Sequence, residues 1–316
     1  MVNRALPEPP GLVAPGATEA DVIAAVVTYN SADTIAPFLA ALGPALAGVG
    51  SCLVVCVDNA SSDGTPELIR TLAPWVVLRE PGRNLGYAAG INLALEGTHS
   101  RRGVYVLNPD AIPSVGSVRL LADAAARDPS LGIAVPRVVD TAGRLKFSLR
   151  REPTVLRALG EAVLGGHRAA RFPALGDQIR DPGHYVDGAT ADWATGAALF
   201  ITTEAVRRVG AWDESFFLYS EETDYALRVR DAGLGLRFVA GAEVEHPGGQ
   251  MEQSPWLWSL VTVNRTRLYR KRHGRVRGAF FWLVVFFNEV VRAAMGRPTH
   301  RAAVKALLVG PDPRHG

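Results

Sequence analysis

Cysteine is scarce: Cys52 and Cys56 are the only two, and both fall in the apolar segment SCLVVCVDN. On an extended strand they share a face but stand roughly 13 Å apart at about 3.3 Å per residue, too far for a disulfide. A disulfide-stapled secreted scaffold is excluded, and core packing in a reducing compartment remains. No apolar run approaches the roughly 20 residues of a spanning helix, and no cationic start followed by an apolar core marks a secretory signal. Excess charge is also small, net +3, so the whole-chain charge calls for no polyanionic partner. Repeats and low-complexity tracts are missing. So is a G-x-G-x-x-G fingerprint after the first strand, which ends in TYNSAD; nicotinamide dinucleotide chemistry is thereby disfavoured.

What is present is a chain of 316 residues, 48% hydrophobic and 21% charged, enough to bury a large core. After a Pro/Gly-rich start, LPEPPGLVAPGATEA, short apolar runs alternate with amphipathic segments. This is the pattern of an α/β fold with an open, mainly parallel sheet flanked by helices. Strands are expected at 22–28, 52–58, 75–80 and 103–108, with helices near 33–47, from 65, at 87–97 and at 117–127. Beyond 131 come a strand and hairpin to 151, an irregular basic excursion to 185, a strand at 192–202, a helix at 220–233 stopped by Gly233, and one or two short strands.

In open α/β sheets ligands gather beyond the carboxyl ends of the strands. Those ends here read TYN, DNASSDGT, GRNLGYAAGIN and NPDA. Each alone could be an ordinary turn or helix cap. Their joint occurrence, in order, is what marks a site.

Together with WATGAALFI, GAWDESFFLYSEETDYALRVRDAG and EHPGG, these segments resemble the successive motifs of family 2 glycosyltransferases, especially the bacterial rhamnosyltransferase-like branch. The resemblance spans residues 22 to about 250. It implies a GT-A fold with a Rossmann-like nucleotide-binding half (about 21–135) and an acceptor half (about 136–250), preceded by a flexible lead-in (1–20) and followed by a helical basic and amphipathic extension (251–316). It further implies an inverting transfer of a sugar, dTDP-rhamnose being the first choice of donor, to a saccharide or polyprenyl-linked acceptor in cell-envelope polysaccharide synthesis. A UDP-sugar transferase and a non-catalytic sugar-nucleotide-binding module are the alternatives.

Carried onto this sequence, the resemblance places Thr28, Tyr29, Asn30, Asp58, Asn84, Gly86 and Asn92 around the nucleotide, with Asp58 accepting from the base. Asp110 stands at the family's metal-binding acidic motif, where one carboxylate suffices for Mg²⁺ or Mn²⁺ if diphosphate and water complete the shell; His246 is the second ligand. Trp193, Thr195, Gly196, Trp212 and Asp213 fall beside the donor sugar and acceptor. The general base is expected among Glu221, Glu222 and Asp224. Glu222 replaces the family's Asp at the matching position and is favoured, with Asp224 as the alternative.

Residues 262–277 hold six Arg, one Lys and no acid, and GAFFWLVVFF follows at 278–287. A basic segment joined to an aromatic-rich helix too short to span reads as a surface for an anionic leaflet. No nucleic-acid recognition fold accompanies it. The expected setting is cytoplasmic, on the inner face of the plasma membrane.

Overall fold

The structure is a computed structural model that describes residues 5–14, 16–249 and 253–311. Parts of the expected lead-in and C-terminal extension (1–4, 15, 250–252 and 312–316) lie outside the described residues. The strands are β1 (Glu19–Thr28), β2 (Cys52–Asp58), β3 (Val77–Arg79), β4 (His99–Leu107), β5 (Ile112–Pro113), β6 (Leu131–Val139), β7 (Leu149–Arg150), β8 (Trp193–Ala194), β9 (Ala198–Thr202) and β10 (Gly235–Glu245). The helices are α1 (Ala32–Ala45), α2 (Thr65–Leu72), α3 (Tyr87–Leu95), α4 (Ser117–Arg127), α5 (Val155–Leu164), α6 (Gly166–Ala169), α7 (Thr203–Val209), α8 (Glu221–Asp231), α9 (Pro255–Ala294) and α10 (Pro298–Val309).

Eight strands form one sheet in the order β3-β2-β1-β4-β9-β6-β10-β5. The first four are mutually parallel, β9 runs antiparallel to β4 and β6, and β5 pairs antiparallel with β10. β1 and β2 are apolar on both faces because helices cover both sides. Ile35, Phe38 and Leu42 of α1 with Val118 and Leu121 of α4 fill one face; Ile91 of α3 with Tyr225 and Val229 of α8 fill the other. Cys52 and Cys56 are free and buried in the first of these cores, as their spacing requires.

Three expectations change. The lead-in is tied down over its described part: Leu6 N–H donates to Leu72 C=O, Val13 N–H to Cys52 C=O, and Leu12 packs on the core. The segment 192–202 is two strands, because Thr195 N–H donates to Ser148 C=O and so draws β8 onto β7, outside the main sheet. The extension does not hang off the domain. Gly274 (φ 80°, ψ 179°) breaks α9 into 255–273 (α9a) and 275–294 (α9b). The halves fold back on each other, with Tyr269 stacked on Phe281 at 4.1 Å and Trp258 donating to Glu289 at 3.0 Å.

Four cations of the basic run turn inward. Arg265 pairs with Glu161 of α5, Arg272 with Glu152 and Asp231, Lys271 with Asp213 and Asp224, and Arg267 donates to Ser215 C=O. These cations bind acids and carbonyls of the sheet-and-helix body, whose distribution along the chain gives no hint of the match.

Candidate active site

The carboxyl ends of β1, β2 and β4 lie side by side, with Thr28 directly opposite Asp58. Asp58 is 1% exposed. Its Oδ1 accepts from Thr28 Oγ1 (2.8 Å) and Ser61 Oγ (2.6 Å), and its Oδ2 from Ser61 N–H (2.8 Å). The expected acceptor of a nucleobase hydrogen bond therefore stabilises its own turn, sealed from solvent by the strand it ends. Asn59, which the motif reading passed over, spans to the next loop: its Nδ2 donates to Gly86 C=O and its Oδ1 accepts from Leu85 N–H. Asn30 sits at φ 49° and its Oδ1 accepts from Ser62 N–H, while Tyr29 is 48% exposed at the rim, where a ring can stack on a base.

At the third tip Asn84 Oδ1 accepts from Gly86 N–H, turning the chain into α3. Gly86 has φ +85°, and a Cβ there would lie 2.4 Å from Phe217 O, while Tyr87 N–H donates to the same carbonyl. Gly86→Ala therefore meets both left-handed strain and a backbone clash. We expect it to cost about 2–4 kcal/mol by such strain and overpacking and to lower donor affinity, read by thermal melting and nucleotide titration. An unchanged melting temperature would mean that this contact is not held in solution.

Asn92 is a strut and does not line the cleft. It exchanges hydrogen bonds with the Trp212 backbone (2.8 and 2.9 Å) and donates to Glu214. Trp212 is 3% exposed and stacks on Tyr225 at 4.4 Å, so the expected sugar platform is core. Asp213 is bound by Lys271 (2.7 Å) and by Ser215; although burial opposes it, these bonds hold its carboxyl at about 2. Trp193 donates to Arg151 C=O and lies under Arg150; it, Thr195 and Gly196 remain partly exposed.

The fourth tip is assembled by sheet register. Pro109 ends the β4 ladder, and β5 pairs Ile112 with Glu245, which sets His246 beside Asp110. His246 Nε2 lies 3.2 Å from Asp110 Oδ1 and 3.4 Å from Asn108 Nδ2. Burial pushes the Asp110 carboxyl up, but the His246 hydrogen bond and charge, with Lys146, outweigh it and hold the group below its ordinary value. Lys146 Nζ in turn holds the carbonyls of His246 and Pro247.

Opposite these lies the start of α8. Tyr219 and Ser220 take positive φ (69° and 74°), and Asn264 of α9a donates to the carbonyls of Leu218 and Tyr219, fixing that turn. Glu221 Oε2, Glu222 Oε2 and Tyr87 Oη are buried with no hydrogen-bond partner. Glu222 packs against Gly196, where a Cβ would lie 3.5 Å from its side chain. Burial raises both carboxyls. Glu221 is driven well up by burial and then by the charge of Glu222. Burial, then the charges of Glu221, Glu222 and Asp110, raise Tyr87 and push Tyr219 to about 12; the three acids thus converge on these rings.

Asp224 differs from its neighbours. At 1% exposure its Oδ1 meets Lys271 Nζ (2.6 Å) and its Oδ2 meets Arg228 Nε (2.8 Å). Neither the Asp224–Lys271 clamp nor the Asn264 anchor was foreseen; the partners are far apart in sequence and share no motif.

Among the described residues no three His, Cys, Asp or Glu form a metal cluster, and no helix is long and apolar enough to cross a membrane. The fold is similar to that of a mannosyltransferase from Pyrobaculum calidifontis solved with GDP-Man and Mn²⁺: TM-score 0.55 at 18% identity, covering 98% of this chain and 79% of the other. An N-acetylglucosaminyl-diphospho-decaprenol L-rhamnosyltransferase from Mycobacterium tuberculosis is 33% identical over 239 residues, 72% of this chain and 76% of the relative. A low-salt glycan biosynthesis hexosyltransferase from Haloferax volcanii is 26% identical over 225 residues, 68% and 64% respectively. The glycosyl transferase family 2 profile matches residues 23–184, which hold all four polar strand tips, Asp110 among them. With the ordered motifs, the GT-A-like sheet and these matches in agreement, the chain belongs to glycosyl transferase family 2 and is a glycosyltransferase.

Proposed function

We propose that the chain transfers rhamnose from dTDP-rhamnose, with inversion, to a saccharide carried on a polyprenyl diphosphate. The observation that carries the chemical part is Glu222: a carboxyl with a buried, unpartnered Oε2 beside Gly196, whose charge acts with that of Asp110 on the Tyr87 and Tyr219 hydroxyls. The donor and acceptor classes rest on the one-third identity to the mycobacterial rhamnosyltransferase.

The acceptor oxygen attacks the anomeric carbon from the face opposite the diphosphate. As the bond to the diphosphate oxygen breaks, Glu222 takes the acceptor proton. Positive charge develops on the sugar ring as in glycoside hydrolysis. Two adjacent buried carboxyls resist ionising together, and Glu222, packed against Gly196, is the one assigned the anionic role. Tyr29 stacks on the base, and the turns braced by Asn59, Asn84 and Gly86 form the wall beside it. Asp224, neutralised by two cations, is scaffold rather than base.

Asp110 and His246 suit a divalent cation. An ionised carboxylate and an imidazole nitrogen 3.2 Å apart are acceptable ligands for Mg²⁺ or Mn²⁺ when diphosphate oxygens and water supply the rest. Bound there, the cation would neutralise charge on the departing diphosphate.

The test is nucleotide release from dTDP-rhamnose, UDP-sugars and GDP-mannose with a polyprenyl-diphosphate N-acetylglucosamine acceptor, with and without Mn²⁺. dTDP release is expected, and Asp110→Ala should lower it roughly 10²–10³-fold, the usual cost of losing one element of charge stabilisation. Release from another donor alone would replace the rhamnosyl assignment. Full activity in the variant would remove Asp110 from the site.

A further inference from the structure

The half of α9 beyond Gly274 carries a face that no described residue covers. The helical period sets Val276, Phe280, Leu283 and Phe287 on one stripe, 54–73% exposed, opposite the buried Phe281, Val285 and Glu289. α5 runs beside it and turns Leu159 and Val163 the same way, Val163 being 80% exposed. Between the two helices lies a groove of about 480 Å³ lined by Leu159, Val163, Leu283, Phe287 and their neighbours. A helix in water ordinarily turns such a stripe inward, and a contiguous exposed apolar patch marks an interaction surface.

The charge around this face narrows what can cover it. Arg275 and Arg277 flank the stripe, and Arg270, Arg168 and Arg171 stand exposed nearby in the chain. None of the five pairs with a carboxylate among the described residues, unlike Arg265, Lys271 and Arg272, which turn into the fold. Over residues 253–311 the only acid is Glu289. It is 3% exposed and held by Trp258 and His300. A second helix or a second copy of this chain would meet this rim with like charge, whereas paired helices place both signs beside the seam.

We infer that the face formed by α5 and α9b docks on an anionic phospholipid leaflet, the apolar stripe entering the headgroup–acyl boundary and the arginines meeting lipid phosphates. The inference rests on the reading that the acceptor is lipid-borne. It also narrows the sequence expectation: of 262–295 the docking element keeps 275–295, and α5 is added to it. The other half of the same hairpin holds the turn into α8 through Asn264, so the docked face and the catalytic turn are carried on one folded unit.

The test is flotation of the full chain with phosphatidylcholine vesicles, with and without phosphatidylglycerol. The wild type is expected to float with the anionic vesicles and much less with neutral ones. Arg275→Glu with Arg277→Glu should weaken partitioning at least ~25-fold, each lost cation near an anionic surface being worth roughly fivefold. Phe280→Glu with Phe287→Glu should abolish it. Should the phenylalanine pair fail to fold, the arginine pair, exposed and charge-reversed, still decides. Unaltered flotation of the arginine pair, or no flotation of the wild type, overturns the proposal. So does a dimer in sedimentation that the phenylalanine pair disrupts without any vesicle binding. Transfer to a water-soluble, short-chain acceptor should survive both pairs; its absence in the wild type would sink the functional reading, whatever the flotation result.

Discussion

Glu222→Gln is expected to lower kcat by roughly 10²–10⁴-fold, the span of a positioned general base, while donor affinity stays near that of the wild type. Glutamine keeps the shape of the side chain against Gly196 but cannot take a proton. The pH profile supplies a second readout. Burial raises the Glu222 carboxyl above its ordinary value, so the working, ionised form is lost as pH falls through that raised value. The acid limb of kcat should lie above the range of an exposed carboxylate and vanish from the residual rate of the variant. Loss of donor binding in step with kcat would assign Glu222 a structural role. An acid limb preserved in the variant would move the base elsewhere.

Lys271→Met should act in the opposite way, on stability more than on chemistry. Its ammonium meets Asp224, 1% exposed, at 2.6 Å and Asp213 at 2.7 Å. Removing one partner of a fully buried pair costs about 3–5 kcal/mol. Lys271 is 40% exposed and Arg228 stays on Asp224, so solvent screening reduces this to about 2–3 kcal/mol. For a chain of this size the melting temperature should fall by roughly 5 °C. Well below the transition, kcat should stay within about tenfold of wild type, since a displaced α8 perturbs positioning without removing the base. A variant that melts like the wild type would mean that the clamp contributes nothing. A kcat as low as that of Glu222→Gln would return Asp224 to the list of candidate bases.

These two predictions separate carboxylates two positions apart that the sequence ranks only by the family position Glu222 occupies. Glu221, Glu222 and Asp224 share the first turn of one helix, and their order along it says nothing of which is free. Lys271 and Arg228 take Asp224, whereas Glu221 and Glu222 each keep a buried oxygen with no partner. The same holds for Trp212. Beside acids and aromatics it reads as a sugar platform, and only its stacking on Tyr225 shows it to be core. Asn92 likewise looked like a cleft residue until its two hydrogen bonds to the Trp212 backbone were seen.

The sequence by itself determined the parallel sheet of the first half, the polar strand tips and the family. Strand and helix periods repeat over a few residues, and each motif is contiguous, so both can be read without knowing what packs against them. Tertiary structure alone decided the register that brings His246, expected as a co-ligand, to Asp110, that Asp58 is buried in its own turn, that Arg265, Arg267 and Arg272 face the fold, and that the helix after Gly274 bares its phenylalanines. Each of these depends on burial and charge pairing between segments far apart in the chain. Burial and pairing are set by sheet register and a helical hairpin, and no local pattern encodes either.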